Sequence, residues 1–273
     1  MKKIFITGAG GYIGGNLARF LSTKNYKLFC LTTKKKIKLK NTKWIVGKIH
    51  DKFDKYLKQS DLLIHCAASG VYKKVKKQKL NKTNFKDSIN LLHKAYEAGC
   101  KNWIILGSSF EYGYAKNKAF SANSTKIKPI DDYGKSKFLL FNGIKKLKFK
   151  KKCKIIYLRV FQVYGGNEPK TRMYPSLLNA IKKNINFKMT KAEELRDFIH
   201  INEVVQKIYK SLNKFKKKNL FLVKHLAKGK KIRVGDFAKK IWSKNKSKNK
   251  ILFGALEKKN KYHSMYSDKA SII

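Results

Sequence analysis

Thr7-Gly8-Ala9-Gly10-Gly11-Tyr12-Ile13-Gly14 follows a β-branched and aromatic run, Lys3 to Thr7, and precedes helical apolar spacing over Asn16 to Leu21. A glycine turn between a strand and a helix presents backbone N–H groups and the positive end of the helix dipole, and the ligand favoured there is a dinucleotide pyrophosphate. Gly8 would allow the tight turn, Gly11 the close approach of the phosphates, and Gly14 the packing of helix on strand. Any strand-to-helix turn can use glycine; placement at the first strand is what gives the triple its weight.

Tyr133 and Lys137 stand in Tyr-Gly-Lys-Ser-Lys. Residues four apart on a helix share a face, so the ammonium can lower the phenol's pKa and make Tyr133 an acid or base usable near neutral pH. A chain with 14 tyrosines and so much lysine produces such pairs by chance, and the plain alternative is an exposed helix pair. Ser108 adds weight by position. It lies in Leu-Gly-Ser-Ser-Phe-Glu-Tyr-Gly, just past the apolar run Trp103 to Leu106, at a strand's carboxyl end, where open α/β sheets bind ligands. Serine there is otherwise a common turn or cap residue.

The elements that must position these residues are legible as alternation. Apolar runs at Tyr26 to Thr32, Trp44 to Val46, Leu62 to Cys66, Trp103 to Leu106 and Ile155 to Val160 are separated by amphipathic stretches of helical length. This predicts an α/β fold, a doubly wound parallel sheet with helices on both faces. Helices are expected from Lys82 to Ala98 and from Tyr133 to about Lys148. Residues 1–165 form the predicted dinucleotide-binding domain, with 196–225 returning to it. Residues 166–195 and 226–273 form a smaller lobe.

The 273 residues, 42% hydrophobic, suffice for a core. No stretch approaches the roughly 18 apolar residues of a membrane span, and the N-terminus runs straight into the glycine loop, so the expected location is the cytoplasm. Cys30, Cys66, Cys100 and Cys153 lie far apart, which points to reduced, mostly buried thiols and no metal site. The net charge of +50 would attract nucleic acid, anionic membrane or anionic substrates alike. Of 66 basic residues only Arg19, Arg159, Arg172, Arg196 and Arg233 are arginines, whereas base-reading proteins favour Arg forks. Lysine runs such as Lys34 to Lys36, Lys145 to Lys152 and Lys216 to Lys218 carry no interleaved aromatic platform. Lysine spread over solvated faces, with no dedicated nucleic-acid partner, is the reading preferred here.

With Thr-Gly-Ala-Gly-Gly-Tyr-Ile-Gly in GxxGxxG spacing, the chain resembles the extended short-chain dehydrogenase/reductases, the NAD-dependent epimerase/dehydratase family that modifies nucleotide sugars. Ser108, Tyr133 and Lys137 match its Ser, Tyr, Lys constellation. His65-Cys66-Ala67-Ala68 is similar to its HxAA, Asn84 to the Asn opening its next helix, and Arg196-Asp197-Phe198-Ile199-His200 to its RDF(I/V)H signature. The resemblance implies a Rossmann-type fold with a C-terminal substrate lobe, here apparently shortened, and a homodimer built from a helix bundle. It implies cofactor contacts at Gly8, Gly11, Tyr12, Ile13, Gly14, Thr33, Lys34, Ala67, Asn84, Tyr133 and Lys137. Counting back five from Gly113 in the family's SSxxxYG pattern selects Ser108 to orient the substrate, with Ser109 the fallback. Arg196 matches the arginine that binds the diphosphate of the sugar nucleotide, its alternative being an ion pair with Asp197 or a neighbour. Arg172 is a second diphosphate or sugar candidate.

Departures from the pattern narrow the reading. Ser109 and Phe110 replace the Asp-Glu pair of 4,6-dehydratases, which argues against dehydration. The end of the second strand reads Leu31-Thr32-Thr33-Lys34 and lacks the acid that would bind a ribose 2′-OH, so NADP(H) is favoured, with NAD(H) possible. Lys48 stands where relatives use Asp for the adenine amine, with Asp51 a substitute. Gln162 replaces an epimerase Asn, and Lys258 and Lys259 fall near a second phosphate-binding arginine. The first expectation is a 4-keto nucleotide-sugar reductase of deoxysugar or surface-polysaccharide synthesis. Its rivals are a nucleotide-sugar 4-epimerase holding NAD, a catalytically weak dinucleotide-binding protein, and a nucleic-acid binder.

Overall fold

Phe5, Ile64, Trp103, Ile104, Ile155 and Ile156 are each shielded from water, because a strand covered on both faces buries successive side chains, not alternate ones. A computed structural model describes residues 1–34, 38–71, 75–114, 118–217, 220–246, 248–257 and 264–273. Lys35, Lys36, Lys218, Lys258 and Lys259, singled out above, lie outside them.

The chain begins β1 (Lys2–Thr7), α1 (Tyr12–Ser22), β2 (Tyr26–Thr32), β3 (Thr42–Val46), α2 (Asp54–Lys58) and β4 (Leu62–His65). A long helix follows, made of α3 (Lys77–Asn81), a π turn (Lys82–Lys86) and α4 (Asp87–Glu97), then β5 (Asn102–Ser108), a 3-10 turn (Ser109–Glu111), α5 (Asp132–Lys146) and β6 (Lys154–Val160). The remainder is β7 (Gln162–Tyr164), α6 (Met173–Lys182), β8 (Phe187–Lys188), β9 (Leu195–His200), α7 (Ile201–Ser211), β10 (Phe221–Leu226), β11 (Lys231–Arg233), α8 (Val234–Lys244) and β12 (Ile251–Leu252).

Seven strands pair in parallel in the order β10-β6-β5-β4-β1-β2-β3. The order reverses between β1 and β4, and the crevice beyond the strand ends there is where such sheets bind ligands. One face is closed by Leu17, Leu21, Val204 and Ile208 of α1 and α7. Leu91, Leu92, Leu140 and Ile144 of α4 and α5 close the other. The sheet is therefore doubly wound, as the alternation predicts.

A three-stranded sheet, β11-β9-β7, and the β12-β8 pair stand apart from it, where Leu177 of α6 packs with Ala238 and Trp242 of α8. Of segment 196–225, β9 joins the small sheet, while α7 and β10 join the large unit. The C-terminal residues join both parts, with Met265 bridged to Arg196 of the small sheet, Ser267 to Phe120 in the segment between β5 and α5, and Ile272 to His225 of β10.

Two differences from the sequence reading have local causes. β5 runs past Leu106 through Gly107 to Ser108, because Gly107 and Ser108 still pair with Arg159 and Val160 of β6. The helix expected from Lys82 begins at Lys77 and widens into a π turn at Asn84, whose buried amide bonds outside the helix.

Candidate active site

The glycine turn is set by sterics. Gly8 has φ +67, and a Cβ on it would fall 2.7 Å from the Ala67 backbone, a conformation and an approach open to glycine. A Cβ on Gly14 would lie 2.3 Å from the Gly8 carbonyl oxygen, so the first turn of α1 rests directly on the loop. Gly11 caps α1 without a side-chain bond, and no acidic residue occupies the first turn. The leading N–H groups of a positive helix end therefore face a site with no carboxylate of the helix's own first turn. Tyr12 locks the loop by donating its hydroxyl to the Gly165 carbonyl at 2.5 Å.

Beside this turn opens a cleft of about 1080 Å³ lined by Gly8, Gly11, Tyr12, Ile13, Gly14, Ser108, Tyr133, Lys137 and Arg172, among others. Residue 8 follows β1, while residue 108 ends β5 and residues 133 and 137 lie on α5 of the next crossover, so the carboxyl ends of β1 and β5 bring the four together. Asp131 starts α5 by accepting the Gly134 N–H at 2.6 Å, a cap that aims the first turn at the cleft. Gly134 lets that turn approach the Phe110 carbonyl oxygen, which a Cβ would meet at 2.3 Å. The Phe110 and Tyr133 rings then pack edge to face, 6.1 Å apart.

Lys137 is the only lysine buried among the described residues. Burial pulls its pKa down to about 8, with Glu111 opposing the shift. The group remains mostly charged at neutral pH, without a solvating shell, beside the face that carries Tyr133. Ser108 is also buried. Its Oγ accepts the Phe110 N–H at 3.2 Å, which points the hydroxyl at the mouth of the 3-10 turn and leaves its hydrogen for an oxygen in the cleft.

The other candidates divide. Thr33 and Lys34 are exposed at the end of β2. Ala67 abuts Gly8 through its backbone. Asn84 does not line the cleft; its amide bonds the Ser69 N–H, the Ser69 carbonyl and Ser136 Oγ, at 2.7, 3.0 and 2.9 Å, tying the loop after β4 to α5. Ser109 is buried outside the cleft lining. Arg172 reaches the lining while paired with Glu168 at 2.7 Å. Arg196 lies mostly buried on β9, donates to the Leu195 carbonyl and does not line the cleft. Its neighbour Asp197 instead accepts the Lys228 and Gly229 N–H groups at 2.7 and 2.8 Å. Asp51 turns onto the Lys48 N–H at 2.8 Å.

Several residues of the site were not singled out from sequence. Ile130, Phe161 and Met265 supply apolar walls. Behind the cleft runs a buried polar seam: Glu111 pairs with Arg159 at 2.8 Å, Arg159 donates to Tyr112 at 3.0 Å, and Tyr112 meets His225 Nε2 at 2.6 Å. His225 Nδ1 lies 2.7 Å from Ser267. Burial lowers the His225 pKa to about 3, so the ring is neutral. A charged residue inside an otherwise apolar strand, as Arg159 is in Ile-Ile-Tyr-Leu-Arg-Val, was the available signal for a buried partner.

Curated relatives and solved structures extend these observations. GDP-6-deoxy-D-talose 4-dehydrogenase of Aggregatibacter actinomycetemcomitans is 25% identical over 216 residues, 78% of this chain and 70% of the relative. The UDP-N-acetylglucosamine 4-epimerase of Methanobrevibacter ruminantium M1, in complex with UDP-N-acetylmuramic acid, superposes with a TM-score of 0.87 at 21% identity, over 98% of this chain and 90% of that one. The UDP-glucuronic acid 4-epimerase of Bacillus cereus in complex with NAD does so with a TM-score of 0.83 at 20% identity, over 97% and 89%. The model of the NAD dependent epimerase/dehydratase family matches residues 4–223, from within β1 to within β10. That span takes in all the described cleft-lining residues except Met265, and the chain belongs to this family.

Proposed function

We propose that the chain is an NADPH-dependent reductase of 4-keto nucleotide sugars. The observation that carries the reduction is the end of β2, where exposed Thr33 and Lys34 stand in place of an acid. A hydroxyl and an ammonium suit a ribose 2′-phosphate, and reductases draw on a regenerated NADPH pool. The curated relative named as a 4-dehydrogenase of a GDP-6-deoxy sugar supports oxidoreduction at that carbon. Phe110, facing Tyr133 where dehydratases place an acid, supports chemistry without water loss.

The glycine turn fits a dinucleotide, since backbone packs too close for a Cβ at Gly8, against Ala67, and at Gly14, against the Gly8 carbonyl, and α1 starts without a carboxylate. A bound nicotinamide supplies the hydride for C4. Tyr133 gives the proton to the C4 oxygen, Ser108 donates a hydrogen bond to the same oxygen, and the buried Lys137 ammonium stabilises the phenolate left behind. Gly11, Tyr12, Ile13 and Ala67 frame the pyrophosphate, Arg172 the sugar nucleotide. The same reading carries a homodimer, checked by light scattering.

The test is incubation with NADPH and a 4-keto nucleotide sugar. Loss of cofactor absorbance, matched mole for mole by a 4-hydroxy product, supports reduction. A second reading, 4-epimerisation with bound NAD, is favoured by the likeness to two solved 4-epimerases. Interconversion of epimers without net cofactor turnover would establish it in place of reduction.

A further inference from the structure

Glu111 is wholly buried, and the chemistry proposed above does not use it. Each of its bonds leads to an element that bears a reacting group or braces one. Oε1 accepts the backbone N–H of Ser108 at 2.8 Å and the Tyr157 hydroxyl at 2.7 Å. That hydroxyl also lies 3.3 Å from the Lys137 carbonyl oxygen. The single phenolic hydrogen is shared between these two acceptors, so Tyr157 of β6 stands between the Glu111 carboxylate, which holds the end of β5, and the backbone of α5. Oε2 takes Arg159 Nε at 2.8 Å. Gly107 makes the room, since a Cβ there would fall 2.6 Å from Glu111 Oε1 and 2.4 Å from the Tyr157 ring.

A buried carboxylate is an expensive way to fill a core, and an apolar residue would cost less. Apolar contact, however, is non-directional, whereas charge-assisted hydrogen bonds fix both distance and direction. Acid–base chemistry is sensitive to displacements on that scale.

We propose that Glu111 is a positioning residue, holding the Ser108 backbone and the Lys137-bearing helix in one register so that the Ser108 hydroxyl and the Tyr133 phenol reach the same oxygen. The inference rests on the reading of Ser108, Tyr133 and Lys137 as the acid–base centre.

The test compares the full chain with Glu111→Gln, Tyr157→Phe and Tyr133→Phe, in whichever of reduction or epimerisation the wild type performs. Glu111→Gln should lower kcat about 10- to 100-fold, with KM for cofactor and sugar nucleotide within about twofold. A folded Glu111→Gln with wild-type kcat, or one whose loss lies wholly in KM, overturns the proposal. Should Glu111→Gln fail to fold, Tyr157→Phe decides: it removes a single hydroxyl and the tie to α5, and should lower kcat with KM unchanged. Unchanged kcat in that variant overturns the proposal. Full activity in Tyr133→Phe fails the acid–base reading instead. If the wild type performs neither reaction, the functional reading fails, and amide exchange in the cofactor-loaded chain still tests positioning. Faster exchange confined to Ser108 and α5 in Glu111→Gln supports it, and unchanged exchange overturns it.

Discussion

Ser108 and Glu111 stand three residues apart at the end of β5, and their side chains enter opposite environments. Ser108 lines a cleft with Tyr133 and Lys137, where polar groups face a space large enough for a ligand. Glu111 enters a seam closed on all sides, in which Tyr157, Arg159, Tyr112, His225 and Ser267 satisfy one another in series. Only Arg159 Nη2 lacks a partner among the buried side-chain atoms described. The difference teaches how the protein divides its polar groups. One set lines a space large enough for a ligand, and the other, bonded within itself, holds the first set in place.

That division is broken if cleft variants cost stability or seam variants do not. Tyr133→Phe should reduce turnover about 100- to 10,000-fold while shifting stability by less than about 1 kcal/mol, measured by steady-state rates and urea unfolding. Arg159→Met should lose about 3–5 kcal/mol of stability, because it strands the buried Glu111 carboxylate. Chemical denaturation of the two proteins checks the contrast.

Lys137 lies on the boundary between the two regions and sharpens the comparison through pH. Folded Lys137 releases its proton near pH 8, against the ordinary 10.5. Between those values the unfolded chain binds more protons, so this group's penalty is complete below about pH 8 and relieved as pH rises to about 10.5. Lys137→Met should therefore be more stable than wild type by about 3 kcal/mol at pH 7, with the gap closing in unfolding curves taken at rising pH. Its turnover should fall at the same time. The smallest expected effect is at the helix start: Asp131→Ala should cost about 1 kcal/mol, read by thermal melting, with a modest loss of kcat as the first turn of α5 loosens.

Much of the architecture was legible because its causes are short-ranged. β2 spans Tyr26–Thr32 as its apolar run predicts, and Gly8, Gly11 and Gly14 form the turn that their position before α1 implies. The path of 264–273 was not legible, since residues such as Met265 and Ser267 are placed by partners as distant as Arg196 and Phe120. Asn84 was expected at the cofactor and instead braces Ser69 and Ser136. An amide side chain advertises its donors and acceptors but not which segments will arrive to meet them.

By itself the sequence determined the parallel sheet, the glycine turn and the place of Ser108 at a strand end, because backbone sterics and hydrophobic period act over a few residues. Tertiary structure alone decided which lysine is buried, and that Glu111 meets Arg159, 48 positions along the chain. Burial and ion pairing depend on which surfaces pack together, and that packing is a property of the whole fold.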